Sequence, residues 1–359
     1  MERSRPPLRI IALLAALLLV VASCGGSSGD EVDAVGPDVA IEATPAFLAS
    51  VADRSEELGF RYEMLLSMEL DMAFEAMSIA PDEPFAYGTQ QSADRLSMTM
   101  DMGVLFESMA DELGPLGAGL PDGDDLVMEM VVDGDRMWMR APMFAALAEL
   151  DPLAASDPTL GPLMSLGDQW GVVELSELGD VLPAGDLAQA AGGQSMSPDQ
   201  MLSLLRNVTA VDELGEQDVR GVSTTGLRAT VTLGDLMAAQ GQSVEDLTAQ
   251  LGAGVDPITA RELGSTFEAI LDVPAVLTAW VDGSGYLRRF ETEIDLGTVF
   301  EEIARETGEV LPGGMSFSVG YVMDFYDYGA DITVDVPDVQ DPVDITAIIV
   351  ALANGSTFS

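Results

Sequence analysis

The sequence predicts an α+β fold in which an antiparallel sheet curls around helices. Three observations predict it. Apolar and polar residues alternate with period two through most unpunctuated stretches, as in strands with one dry and one wet face. The wet alternates are often charged, which suits antiparallel pairing with one solvated face. Helical patterns fall between groups of strands and do not alternate with them one by one, which argues against a doubly wound α/β fold and a two-lobed solute-binding arrangement.

Taken in order, the chain opens on Arg3, Arg5 and Arg9, followed by an apolar run over residues 10–22. At the helical rise that run spans about 20 Å, short of a roughly 30 Å bilayer core, so it reads as the apolar part of an export signal. It ends in Val21-Ala22-Ser23-Cys24, which resembles the bacterial lipobox. The resemblance implies an acylated Cys24 thiol and cleavage before it. The alternative is a secreted protein with an incidental thiol. Gly25-Gly26-Ser27-Ser28-Gly29 follows and suits a flexible tether. The expected division is a signal peptide at 1–23, a tether at 24–45, one folded domain at 46–345 and a tail at 346–359; a split near 190–210 is the alternative to one domain.

In the first half, Met64, Leu66, Met68, Leu70 and Met72 alternate with Leu65, Ser67, Glu69 and Asp71, and Leu96, Met98, Met100 and Met102 alternate with Ser97, Thr99 and Asp101. Leu126, Met128 and Met130 lead to Asp133-Gly134, beyond which Met137 and Met139 alternate with Arg136, Trp138 and Arg140. That is a hairpin signal. In the second half, Ala229, Val231 and Leu233 alternate with polar residues; so do Phe290, Thr292, Ile294 and Leu296, and then Phe317, Val319, Tyr321, Met323 and Phe325. Ser197-Pro198-Asp199-Gln200 reads as a helix start with an N-cap, a first-turn proline and a capping-box glutamine. Other helical patterns cover 104–113, 143–150, 243–251, 260–271 and 299–306, and 113–123 and 151–167 read as loops.

Eleven methionines share the apolar phase: Met64, Met68, Met72, Met98, Met100, Met102, Met128, Met130, Met137, Met139 and Met323. Methionine is a poor strand former, so strand propensity does not explain the choice. Its soft, unbranched side chain fills irregular apolar space, and these eleven are the candidate lining of a cavity for acyl chains. An ordinary methionine-rich core is the competing reading. A Cu(I) site is a third, disfavoured because the face is shared with ordinary apolar strands and carries no histidine.

Composition removes most chemistry. The 359 residues carry 61 Asp+Glu, no His, one Cys and 15 basic residues, all of them Arg. Ser-His-Asp and Cys-His units, lysine Schiff bases, His-ligated metals and intrachain disulfides are excluded. A formal net charge of −46 makes nucleic acid a poor partner. Asp122-Gly123-Asp124-Asp125, Asp133-Gly134-Asp135 and Asp282-Gly283-Ser284-Gly285 lack EF-hand spacing and read as turns. No catalytic residue, metal or cofactor is expected. Arg136, Arg140, Arg288 and Arg289 are candidates for meeting a phosphate near an opening. Trp138, Trp170 and Trp280 are read as packing residues first and ligand contacts second.

Several stretches then resemble the LppX/LprG-type actinobacterial lipoproteins. They are Asn207-Val208 with Gly215-Glu216-Gln217-Asp218-Val219-Arg220-Gly221-Val222-Ser223-Thr224-Thr225, then Ala279-Trp280-Val281-Asp282-Gly283-Ser284-Gly285-Tyr286-Leu287-Arg288-Arg289, and Phe325-Tyr326-Asp327-Tyr328-Gly329-Ala330 with Val334-Asp335-Val336-Pro337. The resemblance implies a LolA-like half-barrel, a strongly curved antiparallel sheet with helices over its concave face. It also implies a non-catalytic lipoprotein on the outer face of the cell membrane that binds acyl chains of lipids or glycolipids for transport. Excess length relative to the family falls in 142–200 and 234–272. A closed-core interaction, chaperone or sensory lipoprotein is the alternative, and a carboxylate-based hydrolase a more distant one.

Overall fold

The computed structural model describes residues 45–56, 58–72, 75–92, 94–113, 126–145, 166–178, 198–206, 211–239, 271–297 and 316–353. Cys24, the signal and nearly all of the tether lie outside them, as do the helical patterns at 243–251 and 299–306 and most of that at 260–271. The chain order is α1 (Pro45–Glu56), β1 (Phe60–Met72), β2 (Glu75–Ile79), β3 (Ala86–Ser92), β4 (Arg95–Asp101), α2 (Met102–Leu113), β5 (Val127–Asp133), β6 (Arg136–Arg140), β7 (Gly171–Glu174) and α3 (Leu175–Leu178). It continues with α4 (Pro198–Arg206), β8 (Asp212–Val219), β9 (Val222–Thr232), α5 (Leu233–Ala239), β10 (Pro274–Asp282), β11 (Leu287–Asp295), β12 (Ser316–Tyr326), β13 (Val343–Asp344) and α6 (Thr346–Ala353).

All thirteen strands join one strongly curved sheet that does not close into a barrel. Its order is β13-β7-β6-β5-β4-β3-β1-β12-β11-β10-β9-β8, with β2 pairing β1 off that path. Pairing is antiparallel except between β13 and β7. The first and last long strands meet at the middle, where Tyr62 lies opposite Phe325, Met64 opposite Met323 and Leu66 opposite Tyr321. With period two, that register puts Phe60, Met64 and Leu66 of β1 and Phe317, Val319, Met323 and Phe325 of β12 on one face, and all of them are buried.

Helices lie on much of the inner face. Leu48, Val51 and Ala52 of α1, Leu202 and Leu205 of α4, and Leu233 and Leu236 of α5 form one apolar cluster with β1 and β9–β12. At the other end Ile348, Ile349 and Val350 of α6 pack against the β4–β7 face. Burying so many aliphatic side chains is the main favourable term holding sheet and helices together, at about 25 cal/mol per Å² of apolar area.

Two strand ends fall short of the sequence pattern. Met102 and Leu233, read as the last apolar residues of alternating runs, instead open α2 and α5. The side chains before them end the strands. Asp101 Oδ1 accepts the Gly103 N–H at 2.9 Å, and Thr232 Oγ1 accepts the Asp235 N–H at 3.1 Å while Asp235 Oδ2 accepts the Thr232 N–H at 2.9 Å. That reciprocal pair is a capping box, and it fixes a helix start where periodicity alone reads a strand. Within the stretch read as a tail, residues 346–353 form α6, and 354–359 lie outside the described residues. Thr346 ties it down by accepting the Glu174 N–H at 3.0 Å.

After β12 the chain crosses the outer face as an irregular strap over 327–342. Val334 donates its N–H to Gln91 Oε1 at 3.2 Å. Val334 and Val336 cover Val131 and Trp138, beside Trp170 and Val172. Trp138, on the arginine phase of β6, is thus buried by a covering segment.

Candidate functional site

The inner face is the candidate site, and register assembles it. Met98 of β4 lies opposite Met130 of β5, and Met130 opposite Met139 of β6. One step along, Met100 faces Met128, and one step the other way Leu96 faces Val132 and Val132 faces Met137. Directly opposed residues sit roughly 5 Å apart, so three adjacent strands present a continuous methionine patch. The far half, on β9–β12, is aliphatic and aromatic instead, with Leu227, Leu277, Ile294 and Phe290 all buried.

The candidate methionines divide by burial. Met64, Met98, Met130, Met137, Met139 and Met323 are buried. Met68, Met100, Met102 and Met128 keep part of their surface accessible, although each packs on an apolar cluster. Met72 ends β1, and its side chain lies outside the described residues. Partly accessible methionines therefore stand on β1, α2, β4 and β5.

Tyr62 occupies the boundary between the two halves and touches both clusters. Its neighbour across β3 is Gly88, where an added Cβ would come within 2.5 Å of the phenolic oxygen. A glycine is required there because the ring lies across that strand. Tyr321 sits on the same face of β12, opposite Leu66 on one side and Thr292 on the other. Burial pushes both phenols well above the ordinary tyrosine range.

The outer face carries the charge. Arg136 pairs with Glu174 at 2.9 Å, and Arg140 with Glu129. Arg288 Nε donates to Asp282 Oδ2 at 2.6 Å. Arg289 grips buried Asp324 with Nε at 2.6 Å and Nη2 at 3.0 Å. All four arginines nominated for phosphate therefore already hold carboxylates. Arg220 adds a second ligand to Asp324 at 3.2 Å, binds Glu63, and lies 4.2 Å over the Tyr326 ring. The Tyr326 hydroxyl donates to Glu63 Oε1 at 2.7 Å. Burial, then the hydrogen bond and charge of Glu63, push its pKa up to about 12, against the opposing pull of Arg220.

No protein-family model and no curated protein matches the chain. Among solved structures it is similar to the lipoprotein LppX of Mycobacterium tuberculosis, at 15% identity and a TM-score of 0.35, covering 81% of this chain and 99% of that one. It is similar to LprF of Mycobacterium bovis at 11% identity and a TM-score of 0.33, covering 82% and 96%. A DUF1329 family protein of Desulfovibrio piger follows at 10% identity and a TM-score of 0.21, covering 81% and 93%. With likeness this distant, the function has to be argued from the sheet, its covering helices and its charges.

The motif stretches of the second half meet at one end of the sheet. Arg220 (φ 52°) and Gly221 (φ 81°) form the left-handed pair of the β8–β9 turn, which carries the Arg220 guanidinium back over β12. In the β10–β11 turn Asp282 Oδ1 accepts the N–H groups of Ser284 and Tyr286 at 2.8 and 3.0 Å. Arg288 also lies over Tyr328, whose ring stacks on Tyr286 with centroids 4.9 Å apart. These residues lock strand ends together. The Asp282 oxygens are engaged by the turn and by Arg288, and among the described residues no group of three or more His, Cys, Asp or Glu converges as a metal site. Among the described residues no helix is long and apolar enough to cross a membrane.

Trp280 packs on the outer face over Gly226, where a Cβ would meet its ring at 2.6 Å. Trp170 lies under Arg140 at 5.5 Å. What the sequence reading left out was the pair of inner-face tyrosines as a feature. The signal was present, because Tyr62 and Tyr321 stand in the apolar phase of Phe60-x-Tyr62-x-Met64 and Val319-x-Tyr321-x-Met323.

Proposed function

We propose that the protein is an exported lipoprotein, anchored at the outer face of the cell membrane through Cys24, that binds lipid or glycolipid acyl chains on the concave face of its sheet without catalysing a reaction. The observation that carries this reading is the partly accessible apolar surface of Met68, Met100, Met102 and Met128 beside a largely buried aliphatic half. An ordinary core closes over its methionines. Here several methionines keep part of their surface accessible, on a side chain suited to irregular, changing contacts. The charged groups stand on the other face and are paired with one another, so they leave the inner face to apolar contact. Each buried methylene of a chain contributes about 0.8 kcal/mol, and a long acyl chain offsets its own ordering.

The test is native mass spectrometry, with organic extraction, of protein purified from an envelope fraction. Stoichiometric acyl lipid is expected, and Met100→Trp combined with Met128→Trp should expel it while leaving the fold intact. Lipid-free protein that also fails to take up a fluorescent fatty acid would overturn the reading in favour of a closed-core interaction protein. Intact mass tests the anchor separately: a diacyl or triacyl adduct is expected on Cys24 and should vanish in Cys24→Ala.

A further inference from the structure

Helix α6 is built unlike the others. Its eight residues are apolar but for Thr346, and among the described helices it alone contains no charged residue. No Asp, Glu or Arg occurs anywhere in residues 345–359, in a chain that is 21% charged. A helix that is apolar all round is either buried or in contact with lipid. α6 is not buried. Ala347 is exposed, and Ile348, Ile349 and Val350 keep part of their surface accessible.

The start of the helix is pinned to the sheet. Ile345 is fully buried and donates its N–H to the Val172 carbonyl at 3.0 Å. The Thr346 N–H donates to Asp344 Oδ1 at 2.9 Å, and the Thr346 hydroxyl accepts the Glu174 N–H. Ile345 and Thr346 thus turn inward, and at about 100° per residue Ala347 points away from the sheet, flanked by Ile348 and Val350. The outward side is as apolar as the inward one. Ile348, Ile349 and Val350 also share one apolar cluster with the partly accessible Met100 and Met128.

We infer that α6 rests on the surface of the lipid bilayer, as a second contact beside the acylated Cys24, and turns the methionine-bearing half of the molecule towards the membrane. The inference rests on the anchored-lipoprotein reading above. Charge selects this partner. With a formal net charge of −46, most of the surface holds water tightly and repels anionic groups. The uncharged end is where a bilayer can approach without stripping water from carboxylates. Eight residues reach about 12 Å, too short to span a roughly 30 Å hydrocarbon core, so the helix lies in the interface. So small a contact is weak alone. The anchor makes it intramolecular and raises its effective concentration, as a second signal does for other lipidated chains.

The test labels the acylated protein carrying Ala347→Cys with the environment-sensitive dye NBD and reconstitutes it into phosphatidylcholine vesicles. Acylation blocks Cys24, so one dye per chain is expected. Glu216→Cys, at an exposed position of β8 on the far edge of the sheet, is the control. On vesicles the Ala347 label should shift to the blue and be quenched by doxyl lipid, while the Glu216 label does neither. Replacing part of the phosphatidylcholine with phosphatidylglycerol should reduce the effect, and salt should restore it. In unlabelled protein, amide exchange over 346–353 should slow on vesicles, and Ala347→Asp, which leaves the buried Ile345 in place, should abolish that slowing. Anchored protein with no difference between the two labels would overturn the inference and leave the anchor standing. So would a shift that needs no vesicles and grows with protein concentration, which marks contact between copies. Two dyes per chain with no flotation on vesicles would overturn both.

Discussion

Asp324 is the residue whose loss should cost the fold most for the smallest change in shape. Its side chain is 6% exposed and receives Arg289 at two points and Arg220 at a third. Asp324→Asn keeps the volume, removes the charge and turns one acceptor oxygen into a donor facing a guanidinium. Breaking a buried ion pair from one side costs about 3–5 kcal/mol. Arg289 is 24% and Arg220 38% exposed, so water recovers part of that, and we expect about 2–3 kcal/mol. In a chain this size each kcal/mol moves the melting temperature by about 2 °C, so the midpoint should fall by about 4–6 °C. Arg61→Ala is the internal control. Its pair with Asp327 is 50% and 43% exposed, and pairs of that kind contribute about 0–1 kcal/mol. Urea denaturation of both variants beside wild type reads the two costs on one scale. A cost for Asp324→Asn no larger than for Arg61→Ala would refute the claim that this network, and not its surface counterparts, holds the strand ends.

Other outcomes follow from the same geometry. Gly226→Ala drives a methyl into the Trp280 ring, 2.6 Å from its nearest atom, and should destabilise by about 1–3 kcal/mol with a change in tryptophan emission; unaltered emission and stability would show that the ring is free to move. Asp235→Ala removes the capping box of α5 and should cost about 1 kcal/mol by denaturation. The Asp235 carboxyl is held below its usual range by its hydrogen bonds to Thr232. Its contribution is therefore present above the ordinary Asp range and lost as pH falls through the lowered folded value, and the variant should flatten that part of the acid profile. At the alkaline end the sign is reversed: Tyr326 is raised from 10.0 to about 12, so its contribution is complete below pH 10 and lost as pH rises towards 12. Tyr326→Phe should flatten that portion of a stability–pH curve, and an unchanged slope would count against the Glu63 contact.

The strands that could be read from the sequence are those whose two faces differ. β1, β4, β5, β6, β11 and β12 each bury one apolar phase against the inner clusters and carry mostly polar or charged residues in the other, apart from such residues as Val131 and Trp138, which the strap buries, so alternation marked them. β3 has Ala86, Gly88 and Gln90 on its inner phase and gave no such contrast, because Tyr62 from β1 supplies the apolar cover that β3 lacks. β8 has almost every residue exposed, being an edge strand whose acidic side chains face water, and its polarity hid it. The methionine phase was legible because register preserves it across β4, β5 and β6. Its division into covered and reachable side chains was not, since that depends on where α1, α4, α5 and α6 come to rest. The arginines illustrate the same limit. Their place on the outer phase could be seen in sequence, but their pairing joins residues as far apart as Glu63 and Arg220.

The strap has a consequence for the order in which the molecule can be completed. A chain delivered from its N-terminus presents β3–β7 early, yet the outer side of that half is covered by Val334 and Val336, and its last edge is closed by β13. The central partner of β1 arrives late as well, with Arg61 opposite Tyr326. The N-terminal half of the sheet must therefore wait, with Val131 and Trp138 bare and an edge unpaired, until residues 334–344 have emerged. Contacts this distant in sequence make for slow assembly. They also leave strands of the unfinished sheet exposed during synthesis, and they make residues 327–353 a poor place to truncate this protein.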